Sequence, residues 1–381
     1  MNLRIGILGT RGIPNHYGGF EQFAEHLSVG LSQRGHHISV YNSHIHPYQK
    51  ENYHNVQIIH CYDPEKLLGT AGQFIYDLNC ILDARKRNFD IILQLGYTSS
   101  SVWGSLFPKN AINITNMDGL EWRRSKYSKP VQKFLKYAES LAIKHSDFLI
   151  ADSIEIQRYL QLKYKVNIQY IPYGAELFNQ INEKVLAEYQ LTKRGFSLLM
   201  ARMEPENNIE TILEGVYHGN SDKKFVVIGD IANKFGKYIV QKFKQDERIQ
   251  FLGSIFNAHK LHTIRACSQL YFHGHSVGGT NPSLLEAMSS RALIAAHDNP
   301  FNKSILANDA LYFSNANDVK KILETTKRGT HEEQMIQNNM YKISTHFNWQ
   351  KIIDEYEEMM LQCYHQSKII NPISNEKVVF Y

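Results

Sequence analysis

Along the chain, short apolar runs alternate with longer stretches whose apolar positions recur every three to four residues. That alternation predicts parallel strands covered on both faces by helices. Strands are predicted at residues 3–8, 38–41, 56–60, 90–95, 112–116, 148–151 and 168–171. Between the first two, Phe20, Phe23, Ala24, Leu27 and Leu31 share one helical face, and Gly35 ends it. After Ile171-Pro172-Tyr173-Gly174 the pattern loosens into a polar stretch, then restarts with strands at 197–200, 225–228, 249–252, 270–273 and 293–296. Three helical stretches close the chain, the last opening at Trp349 with a mixed apolar and acidic face. The fold class expected is α/β, with two Rossmann-like doubly wound domains. Residues 1–173 form the first and 174–348 the second, and a final helix at 349–381 packs back on the first.

Composition supports a folded chain of that size. It has 381 residues, 43% hydrophobic and 21% charged, which excludes disorder as the main state and favours two domains. A glycine loop begins within ten residues of Met1 and no run of 18 apolar residues occurs, so neither an export signal nor a membrane span is expected. Cys61, Cys80, Cys267 and Cys363 are scattered, with neither zinc nor disulfide spacing, and read as buried thiols in a reducing cytoplasm.

The net charge of +5 is too mild for a protein that coats nucleic acid, so no nucleic-acid partner is expected. It is also uneven. Between Glu121 and His145 there are seven Lys or Arg against two acids, leaving 35 of each sign elsewhere. Trp122, Arg123, Arg124, Lys126, Lys133 and Lys136, interleaved with Tyr127, Phe134 and Tyr137, form either a surface for anionic lipid headgroups or a solvated helix face.

Three segments carry candidate chemistry. Gly9-Thr10-Arg11-Gly12-Ile13-Pro14 follows the first strand, and Tyr17-Gly18-Gly19-Phe20-Glu21 opens the next helix. Glycines let a ligand approach the backbone, and a helix start offers unpaired N–H groups to an anion; a tight turn is the plain alternative. G-x-G-x-x-G is absent, Asn42 stands where a ribose-binding acid would, and no Gly-Lys-Ser/Thr closes a P-loop.

The second segment, Ala201-Arg202-Met203-Glu204-Pro205-Glu206-Asn207-Asn208, puts an arginine at a strand end, with Pro205 in the first helical turn. Arg202 suits a phosphate, or else an ion pair with Glu204 or Glu206. In the third, His275-Ser276-Val277-Gly278-Gly279-Thr280-Asn281-Pro282, either Thr280 or Asn281 can cap the following helix. Glu286, one turn deeper, needs a ribose diol or an internal ion pair. His273 and His275 share one strand face, but no third ligand is evident, so no metal site is expected.

With these motifs the chain resembles the family-4 glycosyltransferases, the retaining group with the GT-B fold. Within it, GTRGIP followed by YGGFE, MDGLEW at 117–122 and HSVGGTNPSLLEAM are similar to bacterial rhamnosyltransferases of capsule or O-antigen synthesis. The resemblance implies two domains facing across a cleft. It places Gly18 and Gly19 against the donor, Arg202 on the diphosphate, Thr280 and Asn281 at the phosphates, Asn207, Gly278 and Gly279 elsewhere in the donor site, and Glu286 on the nucleotide ribose. Asp118 matches the acid that follows a histidine on the N-domain side of the cleft, and it either orients the acceptor or donor sugar or is a plain N-cap or loop acid. Three departures stand out: Asn207 replaces the family's usual lysine, Gly278 the first acid of its glutamate pair, and Met117 the histidine before Asp118.

The expected function is thus a retaining transfer, best matched to rhamnose from dTDP-rhamnose, onto a lipid-linked glycan. The enzyme would be peripheral at the inner face of the plasma membrane. With no D-x-D motif, fixed cations and dipoles are expected to stabilise the leaving group; no cofactor is implied beyond the nucleotide-sugar donor. A sugar-nucleotide 2-epimerase and a non-catalytic sugar-nucleotide-binding protein remain as alternatives.

Overall fold

The computed structural model describes residues 1–16 and 18–370. Tyr17 of the YGGFE motif and residues 371–381 of the expected final helix lie outside the described residues. The chain forms two compact units. The first comprises Met1–Asp118, Lys133–Pro172 and the chain from Trp349; the second comprises Gly119–Gln132 and Tyr173–Asn348.

The first unit is built on β1 (Arg4–Leu8), β2 (His37–Ser43), β3 (Asn52–Tyr53), β4 (Val56–Cys61), β5 (Ile91–Leu95), β6 (Ile112–Asn116), β7 (Phe148–Ala151) and β8 (Gln169–Tyr170). Their order is β3-β4-β2-β1-β5-β6-β7-β8, parallel throughout except that β3 pairs antiparallel with β4. All five residues of β5, IILQL, are buried, because a parallel sheet is covered on both faces and loses in/out alternation.

The helix Gly19–Gln33 packs on the final helix Trp349–Ile370. Phe23 contacts Trp349 and Tyr356, and Gly30 leaves room for Ile353. At that interface Arg34 pairs with Glu357 at 2.5 Å and with Asp354.

The second unit carries β9 (Phe196–Met200), β10 (Lys224–Ile228), β11 (Ile249–Gly253), β12 (Tyr271–His273), β13 (Ile294–His297) and β14 (Leu311–Phe313), in the order β11-β10-β9-β12-β13-β14 and all parallel. Every predicted strand is present. β3 and β14, with two and three residues, are too short to leave a periodic signature.

Numbered within its own unit, the second sheet runs 3-2-1-4-5-6, and the parallel strands of the first follow the same rule. In such sheets the chain reverses its winding between strands 1 and 4, and ligands bind at the strand carboxyl ends there. These points lie between β1 and β5 in the first unit and between β9 and β12 in the second. The loops after β1, β9 and β12 are the three segments singled out by sequence.

Candidate active site

In the first unit the loop after β1 is closed by its own chain. Gly9 and Gly12 have φ of 86° and 129°, and a β-carbon on Gly12 would collide with the Asn42 carboxamide. Asn42, fully buried, accepts from the Ile13 amide at 3.0 Å and donates to the Ile13 carbonyl at 2.8 Å. The position where a ribose-binding acid was sought therefore serves as a backbone surrogate.

Gly18 is the N-cap of the helix Gly19–Gln33 and supplies no side chain to it. Instead Glu21, in the first turn, accepts from the Arg11 amide at 2.9 Å and from the Thr10 hydroxyl at 3.3 Å. A buried carboxylate thus lies at this helix start, where the helix dipole favours negative charge. Arg11 is held by Glu65 through bonds of 2.7 and 2.9 Å.

Asp118 follows β6 at its carboxyl end and is half-buried. It shares its surroundings with Asp152 and Tyr356: burial, then the charges of Asp152 and Asp118, push the Tyr356 phenol up. That phenol accepts from the Asn116 amide group at 3.0 Å. Met117, which precedes Asp118, is buried.

In the second unit Pro205–Asn207 forms a single 3-10 turn, and Asn208 takes φ 51° before the helix Ile209–Tyr217 begins. The helix expected to start at Pro205 is therefore interrupted. The interruption lets Asn208 donate to the Gly274 carbonyl at 2.8 Å, while the Ser276 hydroxyl donates to the Glu206 carbonyl at 2.8 Å. The loops after β9 and β12 are thereby stitched together. Asn207, in the lysine's place, donates to the Arg202 carbonyl at 2.8 Å and shapes the turn that presents Arg202.

Arg202 is exposed and makes no ion pair among the described residues. The acids considered as its partners are engaged elsewhere: Glu206 lies 3.6 Å from Arg124, and Glu204 lies 3.7 Å from Lys126. His275 is pushed down to about 3 by burial, then by Arg202 and Arg124. His273, wholly buried, lies well below the usual imidazole value, and neither ring nitrogen has a partner. The rings stack at 4.4 Å and 16°, so their nitrogen lone pairs lie in nearly parallel planes instead of converging on one ion. No group of three metal-ligating side chains occurs among the described residues.

Gly278 has φ 138° with open space where a side chain would stand, and Asn281 caps the helix Pro282–Ser289, accepting from the Ser283 amide at 2.9 Å. Thr280 is buried and Gly279 half-buried in that approach. Glu286 forms the internal ion pair, its Oε2 2.6 Å from the Nη2 of Arg265. Sequence reasoning missed Arg265, whose spacing to Glu286 forms no motif; an arginine flanked by Ile264, Ala266 and Cys267 was the available signal.

The basic segment divides. Trp122, Arg123, Arg124 and Lys126 belong to the second unit, where Arg124 is 2.7 Å from Glu121 and Arg123 lies over the Trp122 ring. Arg124 is mostly buried, a correction to its reading as surface. Lys133 and Lys136 belong to the first unit, exposed on the helix Lys129–His145 beside exposed Phe134 and Tyr137.

A family model described as a domain of unknown function, DUF1972, matches residues 3–176. Comparison with curated proteins gives no match. Among solved structures, sucrose-phosphate synthase from Thermosynechococcus elongatus is 16% identical with a TM-score of 0.78, the alignment covering 96% of this chain and all of that one. HepE from Anabaena, in complex with UDP and glucose, is 15% identical with a TM-score of 0.74, over 95% and 100%. The catalytic domain of starch synthase IV from Arabidopsis thaliana, bound to ADP and acarbose, is 13% identical with a TM-score of 0.70, over 96% and 100%. The chain thus has the GT-B-like fold of these structures, as its sequence implied.

Proposed function

We propose that the chain is a glycosyltransferase that moves a sugar from a nucleoside-diphosphate donor to an acceptor hydroxyl. The observation that carries this reading is the second switch point, where an exposed Arg202 without an ion-pair partner stands on a loop stitched to the approach of a helix start. Two chemistries suited to a diphosphate, a fixed cation and oriented amides, meet there. The bound UDP and ADP of HepE and starch synthase IV support the same assignment.

In the proposed reaction the acceptor oxygen bonds to the anomeric carbon as the bond from that carbon to the phosphate oxygen breaks. Attack comes on the face the diphosphate leaves, so configuration is retained. The acceptor proton passes to the departing phosphate oxygen, and a nucleoside diphosphate is released. Arg202 offsets the charge that grows on the leaving group, without a metal ion. Gly18, Gly19 and Asp118 orient the sugar or acceptor, Gly278, Gly279, Thr280 and Asn281 hold the phosphates, Asn207 shapes their loop, and Glu286 receives the ribose.

The finer reading is transfer of rhamnose from dTDP-rhamnose to a lipid-linked glycan in bacterial surface polysaccharide synthesis. The first unit serves the acceptor, and Lys133 and Lys136 rest against anionic headgroups at the inner membrane face. No described helix is long and apolar enough to cross a membrane.

The test is a donor panel of dTDP-rhamnose, UDP-glucose and GDP-mannose, assayed for hydrolysis and for transfer to a lipid-linked acceptor. Turnover of dTDP-rhamnose alone supports the full reading, and turnover of another donor keeps the class while removing rhamnose. Conversion of UDP-N-acetylglucosamine without acceptor would mark an epimerase; binding without any turnover would mark a non-catalytic protein.

A further inference from the structure

Just past the carboxyl end of β4 the chain forms a short helix, Glu65–Leu68, and Arg11 on the loop after β1 holds Glu65 there by a bond of 2.7 Å. Its last two residues, Leu67 and Leu68, stand 80% and 51% exposed. A β-carbon on Gly72 would lie 2.6 Å from Glu65 Cα, so the helix Gly72–Ala84 starts directly against this turn. Ile75, in its first turn, is exposed, and the ring of Phe74 meets that of Phe134 at 5.8 Å. Phe134 and Tyr137, three residues apart on the helix Lys129–His145, are 38% and 59% exposed. Apolar side chains gathered in this way on one surface mark a place of contact.

The charges around them select the partner. In residues 62–82 and 133–145 every acid is withdrawn: Asp63 and Asp77 are buried, Glu65 is taken by Arg11, and the buried Glu139 is taken by Lys163 at 2.7 Å. The exposed charges there are positive, among them Lys66, Lys133 and Lys136. An apolar surface edged by lysines alone complements an anionic bilayer, with hydrocarbon below and phosphate above.

We propose that Leu67, Leu68, Ile75, Phe134 and Tyr137 enter the acyl boundary of an anionic membrane while the lysines stay among its headgroups. The inference rests on the membrane reading given above and deepens it. That reading uses charge alone; this one adds a hydrocarbon contact that salt does not screen. It also turns the carboxyl end of the first sheet, which Asp118 follows, toward the bilayer.

The experiment is co-sedimentation of the full chain with vesicles of phosphatidylcholine, or of equal parts phosphatidylcholine and phosphatidylglycerol. Salt is set at about 0.1 M and about 1 M, where the Debye length falls from about 10 to about 3 Å. The wild-type chain is expected to bind the mixed vesicles at both salts, less tightly at the higher. Leu67→Gln with Leu68→Gln should weaken binding at low salt by about tenfold or more, the scale of withdrawn leucine area, and abolish it at high salt. Leu67→Phe with Leu68→Phe should restore both, because insertion needs apolar area and not leucine shape. These positions are exposed, so the variants should fold, and circular dichroism checks that they do.

A glutamine variant bound as tightly as wild type, or a wild-type chain wholly released at high salt, would overturn the insertion and leave the headgroup reading standing. Equal binding to both vesicles that is still lost in the glutamine variant would support the insertion and remove the headgroup reading. Binding to neither vesicle would overturn both.

Discussion

Asn42 clasps the backbone of Ile13 at both ends of its carboxamide, accepting from the amide at 3.0 Å and donating to the carbonyl at 2.8 Å. An aspartate there would face the Ile13 carbonyl with a buried negative charge. Asn42→Asp is expected to destabilise the first unit by about 2 to 4 kcal/mol, and Asn42→Leu, which leaves both Ile13 groups unmet, by about 1 to 3. Thermal unfolding of the variants at neutral pH checks this; a melting temperature unchanged in both would refute the assigned role.

Arg202 is the cation that the neighbouring acids do not neutralise, since Arg124 and Lys126 take Glu206 and Glu204. Arg202→Ala is expected to lower kcat/KM for donor turnover by about 2 to 4 kcal/mol of transition-state stabilisation, with the fold intact. Arg202→Lys should recover part of that, since it keeps the charge but loses the planar fork. Steady-state kinetics with circular dichroism as a fold control distinguishes the two variants.

Asp77, on the helix Gly72–Ala84, is buried, accepts from the Ser99 hydroxyl at 2.5 Å and is pushed up to about 7. Burial is the main cause, and the Asp63 charge adds to it. Because the folded value lies above the unfolded one, the folded state binds the extra proton. Its contribution is complete below pH 4 and is lost as pH rises through 7, at up to about 1.4 kcal/mol per pH unit. Asp77→Asn should remove that part of the stability–pH profile, as measured by denaturant unfolding between pH 5 and 8.

His273 and His275 work in the opposite sense. Both are held neutral, far below the unfolded imidazole value, so the unfolded chain binds the extra protons once pH falls under about 6.5. Stability contributed by each neutral ring is present above that value and is lost on acidification toward 4, again at up to about 1.4 kcal/mol per unit for each ring. Replacing His273 by Phe should flatten the acid limb of the second unit's unfolding between pH 4.5 and 6.5. An unaltered slope would show that the ring takes up its proton without unfolding.

Lys133 and Lys136 are exposed beside Phe134 and Tyr137 on one helix. If this face rests on anionic headgroups, each charge reversal to Glu should weaken binding to vesicles containing an anionic lipid by at least about 1 kcal/mol, and binding should fall with salt. Co-sedimentation with anionic and neutral vesicles gives the measure, and equal binding to both would remove the membrane contact.

The fold was largely written in the chain because parallel strands buried on both faces leave unbroken apolar runs, as in IILQL and FSLLM. The glycine loops were legible for a related reason: they are short, local and end on helix starts. What could not be read was pairing between distant positions. Glu286 with Arg265, Glu206 with Arg124 and Asn42 with Ile13 join segments far apart in sequence, and nothing local fixes which partner a buried polar group finds. The same holds for the basic stretch after Glu121: its charge was evident, but not that Arg124 would turn inward to buried acid while Lys133 and Lys136 stayed in water.

The seating of Trp349 and Tyr356 against Phe23 has a consequence for how the protein is made. A ribosome completes the helix Gly19–Gln33 some 300 residues before it reaches Trp349, a delay of roughly 15 to 60 s at ordinary elongation rates. Throughout that interval the surface that Trp349 and Tyr356 will cover stays open, while the whole of the second sheet is being synthesised. The first unit begun is the last one finished, and its exposed seam is what a chaperone would meet on the nascent chain.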